Sequence, residues 1–417
     1  MELDIEKYDL MLSGLFDKHP SVQQVGFGGG AYKPGLESMK VFDAALGSPW
    51  KDYPCIHVAG TNGKGSVSSM LAAALSAGGM KVGLYTSPHL TDFRERIKTI
   101  YGGTFRMPSR EYVWDFIHGH ALDGLSFFEI TTGMAFSWFA AEKVDAAVIE
   151  TGLGGRLDST NIITPRLSII TSIGLDHCAL LGDTRAKIAS EKAGIFKKGV
   201  PALVSTRDVE TSPVFEHTAR QLPSPLYYAC DFDEELFETD LRGPYQQENL
   251  RTALAALDLL GIGADRGAIS RAAAVTGLRG RWEKLFDSPE TICDIGHNPP
   301  ALRINFDRLR QSGRPLFIVY GIMADKDLGS ILPLMPKEAK YFIAAPDIPR
   351  ALPAEELAGR MAGFDTECCG SVARACTEAL RQARDVRDSL VYIGGSNYLV
   401  SECILNIDTI RKDSEAR

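Results

Sequence analysis

No Cys-x-x-Cys pair occurs in the 417 residues, and the eight cysteines (Cys55, Cys178, Cys230, Cys293, Cys368, Cys369, Cys376, Cys403) are scattered along the chain. That spacing gives neither a zinc ribbon nor a disulfide framework, and it fits the reduced, mostly buried thiols of a cytoplasmic protein. Long apolar runs are missing too: no uncharged stretch approaches the ~20 residues that span a bilayer. Met1-Glu2-Leu3-Asp4-Ile5-Glu6-Lys7 shows neither a basic leader nor an apolar core, so no secretory signal is expected. Positive charge is not in excess. Lys and Arg number 45 against 53 Asp and Glu, a net charge of −8 with pI ≈ 5.6, which gives no electrostatic case for nucleic acid or an anionic membrane as partner. What remains is an ordinary globular composition, 45% hydrophobic and 24% charged with a mean hydropathy of −0.06. At 45.4 kDa the chain is too long for one core, and two domains are expected.

The stretch that organises the rest is Pro54-Cys55-Ile56-His57-Val58-Ala59-Gly60-Thr61-Asn62-Gly63-Lys64-Gly65-Ser66. A short apolar run with β-branched Ile56 and Val58 predicts a buried strand, and it breaks into glycines just before a small-residue helix pattern that Gly78-Gly79 stops. Gly60, Gly63 and Gly65 permit backbone angles that a Cβ disfavours, so successive N–H groups, those of Thr61 and Asn62 included, face an anion beside the positive end of the helix. Lys64 adds a charge for the outer phosphates of a nucleotide, and Ser66 a hydroxyl for magnesium. The strict Gly-x-x-x-x-Gly-Lys-Ser/Thr loop is absent, because it needs glycine at Val58 and a hydroxyl at Gly65. A plain glycine turn between strand and helix is the alternative.

Three further strands end in polar residues where open α/β sheets bind ligands. The strand predicted over Lys81 to Tyr85 runs into Thr86-Ser87-Pro88, either a phosphate or metal contact at Ser87 or an ordinary Ser-Pro turn. Val144 to Glu150 is apolar almost throughout and ends in a carboxylate able to hold magnesium. Leu167 to Ser172 leads to Asp176-His177, where a hard-cation site with Glu150 competes with a structural histidine. Lys187, Glu191 and Lys192 lie on a helical stretch whose simplest reading is exposed i, i+4 pairing. In Ser126-Phe127-Phe128-Glu129 and the helix that follows, the aromatic spacing reads first as core.

Taken together, these segments resemble the folylpolyglutamate synthase and dihydrofolate synthase branch of the Mur ligase superfamily. The resemblance rests on Gly60-Thr61-Asn62-Gly63-Lys64-Gly65-Ser66, on Glu150 with Gly152-Leu153-Gly154-Gly155-Arg156-Leu157-Asp158-Ser159-Thr160-Asn161, and on Ile188-Ala189-Ser190-Glu191-Lys192-Ala193-Gly194-Ile195. It continues in Asp294-Ile295-Gly296-His297-Asn298-Pro299, in Gly321-Ile322-Met323-Ala324-Asp325-Lys326-Asp327 and in Gly394-Gly395-Ser396-Asn397-Tyr398. By resemblance, Gly60 to Ser66, Asn249, Arg281 and Asp294 bind ATP. Ser66, Ser87, Glu150, His177 and a carbamylated Lys192 hold two magnesium ions. Phe127, Phe128, Glu129, Leu157 and Asp158 lie by the pterin-bearing substrate, and His297 and Ser396 receive glutamate. Lys64, Lys192, His177 and His297 are the catalytic set. Two departures stand out: Leu278-Arg279-Gly280 precedes Arg281 in the interdomain linker, and Gly296 replaces an alanine.

The resemblance implies an α/β chain with a P-loop-type, mostly parallel sheet domain over 1–280 and a smaller Rossmann-like domain over 281–417. It implies a monomer that adds L-glutamate to dihydropteroate, to tetrahydrofolate, or to both, through an acyl phosphate kept from water by domain closure. A Mur-type ligase of a cell-wall precursor, a folylpolyglutamate synthase lacking the dihydrofolate synthase activity, and a nucleotide-binding regulator without catalysis are the rival readings. The sequence further predicts a flexible interruption at Gly26 to Gly30 and a frayed tail from Lys412.

Overall fold

A computed structural model describes residues 4–20, 33 and 35–415, so the glycine-rich stretch at 26–30 lies outside the described residues. Eight strands form the first sheet: β1 (Cys55–Ala59), β2 (Val82–Tyr85), β3 (Ile97–Tyr101), β4 (Thr104–Arg106), β5 (Ala146–Glu150), β6 (Leu167–Ile170), β7 (Ala202–Val204) and β8 (Leu226–Tyr228). Their order is β4-β3-β2-β5-β1-β6-β7-β8, parallel from β2 to β8, with β3 and β4 running antiparallel at one edge. Every residue of β1 and β5 is buried, as expected of central strands covered on both faces. The β3–β4 hairpin was not anticipated. Its signal is Gly102-Gly103, both at positive φ (60° and 76°), between two short runs that carry β-branched and aromatic residues.

The helix Lys64–Ala77 follows β1 and is buried along nearly its whole length. Its serines and alanines leave room for the helices Gln246–Leu259 and Ala272–Thr276 to pack closely against it.

A second sheet contains β9 (Glu283–Asp287), β10 (Glu290–Asp294), β11 (Leu316–Tyr320), β12 (Lys340–Ile343), β13 (Asp365–Cys368) and β14 (Leu390–Gly394) in the order β13-β12-β11-β14-β10-β9. Only β9 is antiparallel. One core contains Phe306, Tyr320, Tyr341 and Tyr392, and another Val372, Cys376, Leu399 and Cys403. The tail does not fray at Lys412. The helix Ile407–Glu415 continues because Arg381 donates to the Asp413 carbonyl (2.8 Å) and Arg384 to Ser414 Oγ (3.1 Å).

The chain divides into two units. Met1–His89, Phe93–Asp240 and Gln246–Leu278 make the first; Leu90–Asp92, Leu241–Tyr245 and Arg279–Arg417 make the second. The expected linear boundary at 280/281 omits the two short excursions.

Candidate active site

In the first unit the ends of β2, β5, β1 and β6 are adjacent, so Ser87, Glu150, the Gly60–Ser66 loop and the 171–177 segment emerge along one sheet edge. Gly60 and Gly63 have φ of +152° and +89°, and each is hemmed in: a Cβ would lie 1.8 Å from Thr171 Oγ1 or 2.2 Å from Asn249 Oδ1. The loop is strapped to the segment after β6. Thr61 N donates to the Ser172 carbonyl (2.7 Å), Asn62 N to Ser172 Oγ (3.1 Å), Thr171 Oγ1 to the Asn62 carbonyl (2.7 Å) and Thr61 Oγ1 to the Gly174 carbonyl (3.1 Å).

Two lysines meet on this loop. Lys64 Nζ donates to the Gly60 carbonyl at 3.1 Å and lies 3.8 Å from Glu150 Oε1, while Lys192 Nζ donates to the same carbonyl at 2.8 Å. Burial, together with the charge of Lys64, brings the Lys192 ammonium down to about 7. Its unprotonated amine is therefore well populated near neutrality, the form that reacts with carbon dioxide. Lys192 is buried, so the exposed-pairing alternative does not describe it; Glu191 instead pairs with Arg156 at 2.8 Å.

The Glu150 carboxylate is 2% exposed and receives Ser87 N–H at 3.3 Å. Ser66 Oγ accepts from Gln246 Nε2 (3.1 Å), and Gln246 Oε1 accepts from Asn249 Nδ2 (2.9 Å). A carboxylate and hydroxyls beside an anion-binding turn are the hard oxygen donors that magnesium selects, so these residues fit it. His177, at φ +51°, has Nε2 3.8 Å from Asp176 Oδ2, and no group of three His, Cys, Asp or Glu forms a metal cage among the described residues.

The pterin-side candidates separate. Phe127 is a core residue, 2% exposed, with its ring under the Arg96 guanidinium at 5.3 Å, so burial withdraws it from a ligand-facing role. Glu129 likewise has local partners: it closes a capping box with Ser126 (2.7 Å from Ser126 N) and accepts from Ser38. Phe128 stays in play, its ring so close to Gly152 that a Cβ there would sit 2.5 Å away. Leu157 is partly exposed. Asp158 is buried, accepting from Gly152 N and Leu153 N (both 2.8 Å), Thr160 N (3.0 Å) and Thr160 Oγ1 (2.5 Å); burial nevertheless pushes its carboxyl upward in pKa.

In the second unit β10, β14 and β11 run parallel, so His297, Ser396 and the Asp325–Asp327 turn follow strands that end at a common sheet edge. His297 Nδ1 lies 3.0 Å from the Ile295 carbonyl. Ser396 is buried and caps the helix Asn397–Leu405, accepting from Leu399 N at 3.1 Å. Asp294, expected to touch nucleotide, takes Tyr245 OH (2.6 Å), Trp282 N (2.9 Å), Gly296 N (2.8 Å) and Asn305 Nδ2 (2.7 Å). Arg281 rests its guanidinium on the Gly280 carbonyl at 3.3 Å.

Residues 280–397 match the sequence pattern of the Mur ligase glutamate ligase domain. The dihydrofolate synthase/folylpolyglutamate synthase of Escherichia coli K12 is 33% identical over 404 residues, covering 90% of this chain and 92% of its own. The chain belongs to the folylpolyglutamate synthase/dihydrofolate synthase family. Lacticaseibacillus casei folylpolyglutamate synthase, a further relative in this family, is 32% identical over 86% of this chain and 90% of its own. The solved structure of E. coli FolC in complex with DHPP and ADP superimposes with a TM-score of 0.82 at 30% identity, covering 97% of this chain and 98% of that one. A Yersinia pestis synthase of both activities, complexed with AMPPNP and Mn ion, gives 0.79 at 30% identity over 90% and 94%. The chain spans about half the length (49%) of a Halobacterium salinarum relative named as a probable bifunctional folylpolyglutamate synthase/dihydropteroate synthase.

Against this family background, Gln246, Thr171 and Ser172 are the loop-holding residues that sequence reading missed. Gln246 had a visible signal, three residues before Asn249 on one helix face. The other two acquire their role only when β6 pairs beside β1.

Proposed function

We infer that this chain is an ATP-dependent ligase joining the amine of L-glutamate to a carboxyl group of dihydropteroate or of a tetrahydrofolate. The observation that carries the reading is the convergence of Lys64, Lys192 and the buried Glu150 on the Gly60 turn. A pterin carboxylate oxygen attacks the γ-phosphorus of ATP, the bond to the β–γ bridging oxygen breaks, and ADP leaves. Glutamate nitrogen then attacks the acyl carbon, the carbon–oxygen bond to phosphate breaks, and the amine gives up a proton. The Gly63–Ser66 amides and Lys64 would take the phosphates, and their positive charge favours the transferring group as negative charge spreads over it; the Thr61 and Asn62 amides, expected to join them, are already engaged by Ser172. Ser66, Ser87 and Glu150, with His177 and a carbamylated Lys192, would hold magnesium, which when bound supplies further neutralisation at the phosphates. Asn249, which lies against Gly63 of the loop, would take the adenine side of the nucleotide. Phe128 and Leu157 would form the pterin side, on the loop whose Gly152 and Leu153 amides Asp158 holds, and His297 in the glutamate ligase unit would receive the amino acid.

The chain carries every residue named here, so we read it as a monomer of 45.4 kDa, which light scattering tests. Eight free cysteines support a cytoplasmic setting. No helix among the described residues is long and apolar enough to cross a membrane. The test is purified protein with ATP, Mg2+ and L-glutamate, given dihydropteroate in one arm and tetrahydrofolate in the other. Phosphate release that needs both glutamate and a pterin is expected; release indifferent to either pterin would refute the reading, and the two arms decide between one activity and both.

A further inference from the structure

His57 has a place in the fold that packing alone does not explain. It lies at the centre of β1, wholly buried, with Cys55, Ile56, Val58 and Ala59 buried around it. Such a position normally takes a branched apolar side chain, because a buried imidazole must be stripped of water and then find partners. Only one ring nitrogen finds one. His57 Nε2 lies 2.8 Å from Thr160 Oγ1, whereas Nδ1 is buried without a hydrogen-bond partner among the described residues.

The hydrogens can be assigned from the neighbours. Thr160 has a single hydroxyl proton, and its oxygen lies 2.5 Å from Asp158 Oδ1, the short separation of a bond to a carboxylate. Thr160 therefore donates to Asp158 and accepts from His57, which fixes the tautomer with hydrogen on Nε2. Burial and the nearby Lys197 charge depress the imidazole to about 3, so it stays neutral over the working range of pH. The chain of bonds runs on past the carboxylate, because Asp158 Oδ2 holds the amides of Gly152 and Leu153. Those amides begin the Gly-Leu-Gly-Gly-Arg-Leu turn, against which the Phe128 ring lies.

We propose that His57 is a positioning residue for the pterin substrate: through Thr160 it sets the rotamer of Asp158, and through Asp158 the shape of the Gly152–Leu157 loop. The inference rests on the reading above that this loop, with Phe128, receives the pterin. It accounts for a polar side chain in the middle of a buried strand whose next residues form the nucleotide loop. One strand thereby supports both substrates, the nucleotide through its end and the pterin through its middle.

The test compares His57→Leu, which keeps the volume and removes the donor, with His57→Gln, whose amide nitrogen falls near the lost Nε2. Thr160→Val breaks the same chain one residue on and serves if the leucine variant does not fold. KM for dihydropteroate and for tetrahydrofolate is measured beside KM for ATP. The expected result is a rise of about tenfold in the pterin KM for His57→Leu and Thr160→Val, the size of one lost hydrogen bond, with ATP KM within about twofold and recovery in His57→Gln. Equal rises in both KM values, or no recovery with glutamine, would reduce His57 to support of the strand and overturn the proposal. Asp158→Ala and Phe128→Ala separate the two inferences. If they raise the pterin KM while His57→Leu and Thr160→Val do not, only the role of His57 fails; if they too leave it unchanged, the pterin-side reading itself is wrong.

Discussion

Lys64 and Lys192 share one acceptor, the carbonyl oxygen of Gly60, at 3.1 and 2.8 Å. Two ammonium groups on one oxygen repel, and the more buried of them loses its proton first. Two consequences bear on Lys192.

Its pKa falls from 10.5 to about 7 on folding, so between those values the unfolded chain binds the extra proton. Stability attributable to Lys192 therefore rises with pH across that window and is lost as pH falls through about 7. Against Lys192→Met, the wild-type unfolding free energy should gain up to about 1.4 kcal/mol per pH unit there, read from urea melts at a series of pH values. In bicarbonate buffer, native mass spectrometry should show one added carboxyl group that Lys192→Met lacks. Unmodified protein under saturating nucleotide would remove carbamylation from the mechanism.

Gly63→Ala should disable the loop. It places a Cβ 2.2 Å from Asn249 Oδ1 at a φ of +89°, and the backbone strain alone costs about 1–2 kcal/mol. The expected outcome is an ATP KM at least about tenfold higher with circular dichroism unchanged, since a displacement worth 1.4 kcal/mol is already a tenfold effect. Gln246→Leu, which strips Ser66 and Asn249 of a shared partner, should shift nucleotide affinity the same way, and less.

Glu129→Ala distinguishes a capping role from a substrate contact. Losing half of a capping box costs about 1 kcal/mol, which a thermal melt records as a fall of a few degrees. Because both oxygens face Ser126 and Ser38, the pterin KM should stay within about twofold, well under the tenfold that a lost contact of 1.4 kcal/mol would give. A large KM change with an unaltered melt would return Glu129 to the substrate site.

Asp294→Asn should weigh chiefly on the second unit. The carboxylate takes two backbone amides, a phenol and a carboxamide, and an asparagine turns one acceptor into a donor facing donors. A loss of about 3 kcal/mol is expected. Tyr245→Phe, which removes a single bond, should cost roughly half as much, and calorimetry that resolves the unit's own transition orders the pair.

The strand, glycine turn and helix around Lys64 were readable because the pattern is local: strand, glycines, lysine and hydroxyl fall within thirteen consecutive residues, from Pro54 to Ser66. Glu150 was readable because an apolar strand that ends in an acid is a strong pattern. Phe127 and Glu129 show the limit. One helical turn separates a core face from a ligand face, and only the packing of Phe16 and Arg96 on Phe127 decides which is which. Glu129 satisfies a capping-box signature that was present in Ser126-Phe127-Phe128-Glu129 and went unread. Thr171, Ser172 and His57 gain their roles from contacts more than a hundred residues distant in sequence, which no local window contains. Asp294 shows the same thing in the second unit: its motif marks the position, while its donors come from Tyr245 and Asn305 as well.

Tyr245 and Leu90 belong with the C-terminal unit although both precede its main stretch, the first bonded to Asp294 and the second to Ser401. The glutamate ligase unit is therefore discontinuous in the gene. A fragment beginning at Arg279 would emerge with the Tyr245 donor to Asp294 missing, one of four, and no single scissor cut yields two sound halves. Shuffling that swaps this unit between relatives must carry both small inserts along or inherit a wounded acceptor.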